Sequence, residues 1–264
     1  MSQFKIGWSE KSLVPEGRKV SLAGQFVERI SGEVETPITV STLVLECGDD
    51  AAIFCVCDLV SVSTRVLREV REAIPDDLGI PKDKIMVSAI HTHTSIEYAG
   101  RGDGLAGRSN LQLLMQYKPE GVEYVPMVSS DDPNIIKGDE AREFIVARAA
   151  ESIVEAWKNR KEGGYATGFG RAAIGMCRRV CYDDGSAKMW GDTNMANFTE
   201  LEAGNDSGIE MLFTYDKNKK LTGVVANIAC PAQVLEHQHF ISSDMPGKIK
   251  ALVKAKYGDD VNFI

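Results

Sequence analysis

All four histidines of this chain fall in two H-x-H tripeptides, His91-Thr92-His93 and His237-Gln238-His239. On an extended strand, residues i and i+2 point to the same face. Each tripeptide can therefore present two imidazoles side by side. A neutral imidazole offers a lone pair near pH 7 and is a common ligand of divalent metals. The chemistry this pattern suggests is a single ion, zinc above all, held where the two pairs converge. The competing reading is two polar strand ends that happen to carry histidine.

The flanking residues point the same way. Residues 84–90 form an apolar run that delivers His91, and sites in α/β domains cluster at the carboxyl ends of strands. A second strand, residues 221–230, leads into a polar turn holding Glu236, His237 and His239. Asp244 then precedes Pro246 at the start of a helix. It fits an N-cap, and it also fits a carboxylate that orients a histidine from behind. Other candidates are weaker. Cys177 and Cys181 carry thiols but no C-x-x-C spacing. Arg178 and Arg179 suit an anionic or polyhydroxylated ligand, or a solvated ion pair. Asp192 and Asn194 suit a sugar-like pocket, or an ordinary polar loop. Gly100, Gly102, Gly104 and Gly107 lack the strand-to-helix setting of a phosphate loop.

The elements that must position these residues alternate in type. Residues 39–45 and 51–60 read as strands joined by a hairpin turn at Gly48-Asp49-Asp50. Val62, Val66, Leu67 and Val70 repeat with helical spacing behind a cap at Ser61 or Ser63. Residues 97–138 read as a long excursion with one short helix at 111–117. A helix is predicted over 139–161, with Val146, Ala149, Ala150, Ile153, Val154 and Trp157 on one face. Strands are predicted over 165–176, 179–182, 188–190, 209–215 and 221–230. A last helix begins at Asp244, with Ile249, Leu252, Val253 and Tyr257 facing inward. The pattern predicts one α/β domain over residues 1–264, with mixed β-sheet layers and flanking helices.

Composition bounds the partners. The 264 residues are 44% hydrophobic and 26% charged, as in a globular protein. A net charge of −8 disfavours nucleic acid, whose phosphates need a basic face. The longest apolar run is too short to span a bilayer, and the first residues lack a secretory pattern. A cytoplasmic protein with free thiols and a small-molecule substrate is expected.

Several motifs in order carry a resemblance: Lys5-Ile6-Gly7, Asp58-Leu59, His91-Thr92-His93-Thr94-Ser95, the N-x-A-C-x-x-x-V-L stretch from Asn227 to Leu235, and I-S-S-D-x-P-G from Ile241 to Gly247. Together they resemble the N-terminal catalytic region of the neutral/alkaline ceramidase family. The resemblance implies a hydrolase with one zinc ion bound by His91 and with His93 beside it. The family's second zinc histidine falls at Pro231 here, which leaves His237 or His239 to take that place. His93 is then a candidate donor to an oxyanion, and Asp244 a candidate catalytic support. The family's serine, in a G-D-x-S-P segment, and a later glutamate and tyrosine follow the region that closes here at Ile264. The resemblance therefore implies that a second polypeptide or a C-terminal half completes the site. The expected substrate is an amide-type or related small molecule, not necessarily ceramide. A regulatory subunit that keeps the fold without the chemistry, and a metal-dependent carbohydrate-processing enzyme, are the other readings.

Overall fold

The computed structural model describes residues 3–25, 28–98 and 130–264. The short helix expected at 111–117 lies outside them, as do the glycines at 100–107. The described strands are β1 (Phe4–Ser12), β2 (Lys19–Leu22), β3 (Arg29–Ser31), β4 (Val34–Thr36), β5 (Thr39–Cys47), β6 (Asp50–Cys57), β7 (Ile85–Ala89), β8 (Ile135–Ile136), β9 (Lys161–Arg171), β10 (Arg179–Tyr182), β11 (Ala187–Met189), β12 (Phe198–Leu201), β13 (Gly208–Asp216), β14 (Leu221–Ile228), β15 (Ile241–Ser242) and β16 (Asn262–Phe263). The helices are α1 (Thr64–Ala73), α2 (Gly138–Lys158) and α3 (Asp244–Tyr257).

An eight-stranded sheet in the order β16-β14-β13-β9-β1-β5-β6-β7 is the frame. It is mixed: β6 and β7 run parallel, β14 and β16 run parallel, and the other neighbours are antiparallel. Three small sheets attach to it: β11-β10-β12, β3-β2-β8, and the parallel pair β15-β4. The expected α/β class with mixed sheets and flanking helices is what the chain adopts.

The β5–β6 hairpin turns at Gly48, whose φ is 61°, as its Gly-Asp-Asp sequence predicts. Val40, Leu43 and Val44 are fully buried. On one face α2 lies across β1, β5 and β6 and packs Ile145, Ala149, Ile153 and Ala156 into the core. Each fully buried isoleucine there contributes about 1.5–3 kcal/mol. The approach is close enough that a Cβ on Gly7 would fall 1.9 Å from the carbonyl oxygen of Ala156. Only glycine allows it. Ser63 caps α1 by accepting the Val66 N–H at 3.2 Å.

Three expectations are corrected. Helix α2 stops at Lys158, because Lys161 already opens β9 and pairs with Ile6 of β1. The strand expected over 165–176 therefore runs earlier, over Lys161–Arg171. Leu252 and Tyr257 do not face inward: they are 71% and 51% exposed. The wall that α3 meets is polar, so lysines point in instead. Lys250 Nζ reaches Glu10 at 2.8 Å and Thr39 Oγ1 at 2.8 Å, and Lys254 reaches Glu10 at 3.3 Å.

The two halves of the main sheet differ. Around β1, β5 and β6 the core is closed. In β9, Tyr165 and Phe169 are exposed, and the neighbouring strands β13 and β14 are mostly half-buried. The first histidine loop follows β7 on the closed side, and the second follows β14 on the other.

Candidate functional site

The first histidine pair follows β7 and is seated on the residues just beyond the parallel neighbour β6. Asp58, just beyond that strand, is buried and accepts hydrogen bonds from Thr39 N–H at 2.8 Å and Thr39 Oγ1 at 3.0 Å. This holds the next two carbonyls still. The Leu59 carbonyl receives the N–H groups of His91 at 3.0 Å and Thr92 at 3.2 Å. The Val60 carbonyl lies 2.7 Å from His91 Nδ1. A carbonyl only accepts, so His91 carries its proton on Nδ1 and turns a free lone pair outward at Nε2. To make these bonds His91 takes a left-handed backbone with φ 68°, a conformation few side chains adopt.

The rest of the loop is tied to β15. Thr92 Oγ1 and Thr94 Oγ1 each reach the Ser242 carbonyl at 2.9 Å, and Ser242 N–H returns to the Thr94 carbonyl at 3.0 Å. Thr92, Thr94 and Ser95 are all buried. The loop is thus a fixed mount rather than a free turn.

On this mount the two imidazoles converge. His91 Nε2 and His93 Nε2 are 3.2 Å apart, with the rings edge to face at 4.8 Å between centroids. Two nitrogen ligands of a tetrahedral zinc, at 2.0–2.1 Å each, stand about 3.3 Å apart. The pair has that spacing. Its lone pairs would repel unless a proton or cation lay between them.

His93 is more enclosed. Its ring packs on Gly24, where φ is +87° and a Cβ would fall 2.4 Å from the ring. Gln233 places its amide nitrogen 2.8 Å from His93 Nε2 and 3.5 Å from Glu236 Oε2. Glu236 Oε2 lies 3.6 Å from His93 Nδ1, while Oε1 lies 3.5 Å from His237 Nε2. Burial, and then the neighbouring His91, hold the His93 pKa below its ordinary value, against the pull of Glu236. At neutral pH the ring is uncharged.

One residue locks the two histidine loops together. The Arg29 guanidinium, on β3 and only 3% exposed, donates to four carbonyls. Nη2 reaches Ala23 and His93, each at 2.6 Å; Nη1 reaches Glu236 at 2.9 Å and Gln238 at 2.7 Å. Gln25 adds a bond to the Glu236 carbonyl at 3.1 Å. Burial lowers the Arg29 pKa, with Glu236 opposing, but the group stays charged in any ordinary buffer.

The candidates named from sequence separate as follows. His91 and His93 come together. Among the described residues His237 touches the cluster through Glu236, with its side chain 78% exposed. His239 is exposed. Asp244, buried and at φ 57°, accepts the N–H of Leu235 at 2.8 Å and that of Met245 at 2.5 Å. It pins the second loop by its backbone; among the described residues no hydrogen bond joins it to an imidazole. Among the described residues no group of three or more His, Cys, Asp or Glu side chains is placed to hold a metal ion. Cys177 and Cys181 are free thiols. Arg178 stacks on Trp190 at 5.0 Å, and Arg179 pairs with Glu202 at 2.9 Å. Arg29, Gly24 and Gln233 were not legible as site residues, since each acts through a long-range contact.

A mixed sheet with flanking helices and a histidine loop at a strand end places the chain in the ceramidase-like α/β fold. Among solved structures, the neutral ceramidase from Pseudomonas aeruginosa matches with a TM-score of 0.67 and 16% identity over 100% of this chain and 38% of that one. A second structure, described as ceramidase complexed with C2, matches with a TM-score of 0.66 and 15% identity over 100% of this chain and 37% of its own. The chain thus spans well under half the length of either. No family profile and no curated protein matches the sequence. Among the described residues no helix is long and apolar enough to cross a membrane.

Proposed function

We propose that the chain is the histidine-bearing part of a zinc-dependent hydrolase acting on an amide-type or related small substrate. The observation that carries this is the pair of Nε2 atoms 3.2 Å apart, one of them backed by a carbonyl on Nδ1. A carbonyl behind a histidine is the usual way to fix a metal ligand. The donors fit half of a zinc site: His91 is ready, and His93 faces it. Two further ligands are needed. His237, beside Glu236, is one source; a polypeptide corresponding to the remaining length of the ceramidases is the other.

A bound zinc ion would supply Lewis-acid polarisation of the substrate carbonyl. The chain's own residues do the rest. Val60 keeps His91 in one tautomer. His93, neutral and half-enclosed, sets its Nε2 beside that of His91, where it would serve as the second nitrogen of the pair. Arg29 keeps both loops in register. The fold of the ceramidases supports hydrolysis of an acyl-nitrogen bond as the reaction class.

Titration of the metal-free chain with zinc chloride in a calorimeter tests the reading. One ion per chain is expected, with binding lost in His91→Ala. Absence of zinc binding by the wild-type chain, together with full amide hydrolysis under chelator by the protein containing it, would sink the idea. A second reading is a subunit that keeps this fold without chemistry. It draws on one observation, that the described residues bring only two imidazole nitrogens into contact.

A further inference from the structure

We propose that Tyr98 is a positioning residue for His91: its buried hydroxyl clamps segment 61–63 and thereby aims the Val60 carbonyl at the His91 ring. This rests on the reading of His91 as a working residue of the site. It gives Tyr98 no contact with substrate or ion. Each peptide is a rigid plane that turns only about its flanking Cα atoms. The plane carrying the Val60 carbonyl lies between two others. The plane before it is fixed, because the Leu59 carbonyl accepts the N–H groups of His91 at 3.0 Å and Thr92 at 3.2 Å. The plane after it is fixed by Tyr98, whose hydroxyl donates to the Ser61 carbonyl at 3.0 Å. The same hydroxyl accepts the Ser63 N–H at 3.0 Å, and Ser63 then caps α1. Residues 60–63 belong to no strand or helix, so no ladder holds them instead. With both neighbouring planes held, the Val60 carbonyl keeps one direction, 2.7 Å from His91 Nδ1.

Tyr98 is itself held away from the histidines. Segment 95–97 runs beside β2. There the Ala23 N–H donates to the Ser95 carbonyl at 2.9 Å, and the Glu97 N–H donates to the Ser21 carbonyl at 2.8 Å. Ile96 and Tyr98, two residues apart on this extended stretch, both enter the core, at 1% and 6% exposed. A hydroxyl can donate and accept at once, which suits a carbonyl and an N–H two residues apart. Phenylalanine would fill the same space and leave both groups without that partner.

The consequence falls on the ring. A neutral histidine carries its proton on either nitrogen, and the bonds it makes select which. The Val60 carbonyl selects Nδ1–H at His91. Without the clamp the Val60 plane turns, and that selection weakens.

Histidine ¹⁵N spectra of the metal-free protein test this, and four histidines keep them assignable. Wild type should show His91 protonated on Nδ1. In Tyr98→Phe the ratio of Nδ1–H to Nε2–H forms at His91 should fall about fivefold, the equivalent of one ordinary hydrogen bond. The exposed His237 and His239 are internal references and should not move. Thr42→Val is the structural control. It removes the buried Thr42–Ser152 bond of 2.8 Å, should lower Tm, and should leave the His91 ratio as it is. A ratio unchanged in Tyr98→Phe, or moved as far in Thr42→Val, overturns the proposal. So does a wild-type His91 protonated on Nε2. Should the phenylalanine variant fail to fold, amide hydrogen exchange of the wild type decides. A protected Ser63 amide supports the clamp, and exchange at the rate of an open loop overturns it. No metal enters these measurements, so a failure of zinc binding would sink the function proposed above and leave the role of Tyr98 standing.

Discussion

The two H-x-H segments are alike in sequence and opposite in structure. His91 and His93 stand on a loop whose backbone is held by Leu59, Thr94 and Ser242, and whose threonines are buried. His237 and His239 stand on an exposed turn. The first loop follows β7, the last strand of the sheet beside the closed core of β1, β5 and β6. The second follows the end of β14, in the half that α2 leaves bare. A repeated motif thus divides into a fixed pair and a loose pair, because position is set by what lies under the loop. What joins them is Arg29, whose guanidinium satisfies carbonyls on both sides.

The largest expected effect comes from cutting that joint. Arg29→Ala removes the donor from the Ala23, His93 and Gln238 carbonyls, leaves Glu236 with the bond from Gln25, and should cost about 3–5 kcal/mol. Urea unfolding would show it as a lower midpoint. A loss under 1 kcal/mol would mean the loops are held independently, and the contrast would lose its link.

The fixed pair also stands on a buried acid, and that foundation has a pH signature. Burial pushes the Asp58 carboxyl up from its ordinary 3.8 to about 6, against the pull of Lys250 and the Thr39 bonds, with Glu10 adding to the rise. A raised pKa means that the folded chain favours the protonated form. The stabilisation is therefore full below about pH 4 and is lost as pH rises through about 6. The loss amounts to roughly 3 kcal/mol. Comparing wild type with Asp58→Asn over pH 4–8 isolates it, since Glu10 and the other carboxylates are common to both. Parallel curves for the two proteins would count against this role.

A smaller effect is expected at Gly24. Alanine there needs a left-handed backbone and pushes on the His93 ring, for about 2 kcal/mol. Zinc affinity should fall with it, which calorimetry would record. The smallest effect belongs to the loose pair. His237→Ala and His239→Ala should each change stability by less than about 0.5 kcal/mol. A fall of several degrees in Tm for either would show that the second segment is more firmly held than its exposure suggests.

Much of the frame could be read from the chain. The β5–β6 hairpin announced itself through Gly48-Asp49-Asp50 and the alternation around it. The α1 cap followed from Ser63, and the apolar residues of α2 kept their spacing. The strand end that delivers His91 was legible because apolar residues give way abruptly to polar ones. Helix α3 was misread on one face. Periodicity put Leu252 and Tyr257 inside, but the surface it packs on carries Glu10, Thr39 and Ser41, so Lys250 and Lys254 turned in. The reading of the site fell short for a related reason. Arg29 is satisfied by main-chain carbonyls rather than by a carboxylate, and such a partner leaves no mark in a sequence. Gln233 is recognisable only once His93 is seen beside it. Spacing brought the four histidines to notice, but the turn beneath residue 91 decided which two would meet.

That turn also narrows what can replace the first histidine. At φ 68° a branched side chain such as valine, isoleucine or threonine is strained, whereas asparagine, aspartate and glycine are tolerated. Drift at position 91 is therefore channelled by the backbone before chemistry has any say. The easiest replacements are an oxygen-bearing side chain, or glycine, which gives up the bond to Val60 but fits the same backbone. On the zinc reading proposed above, a lineage carrying this fold would change its preferred ion, or lose it, by a single substitution at this position.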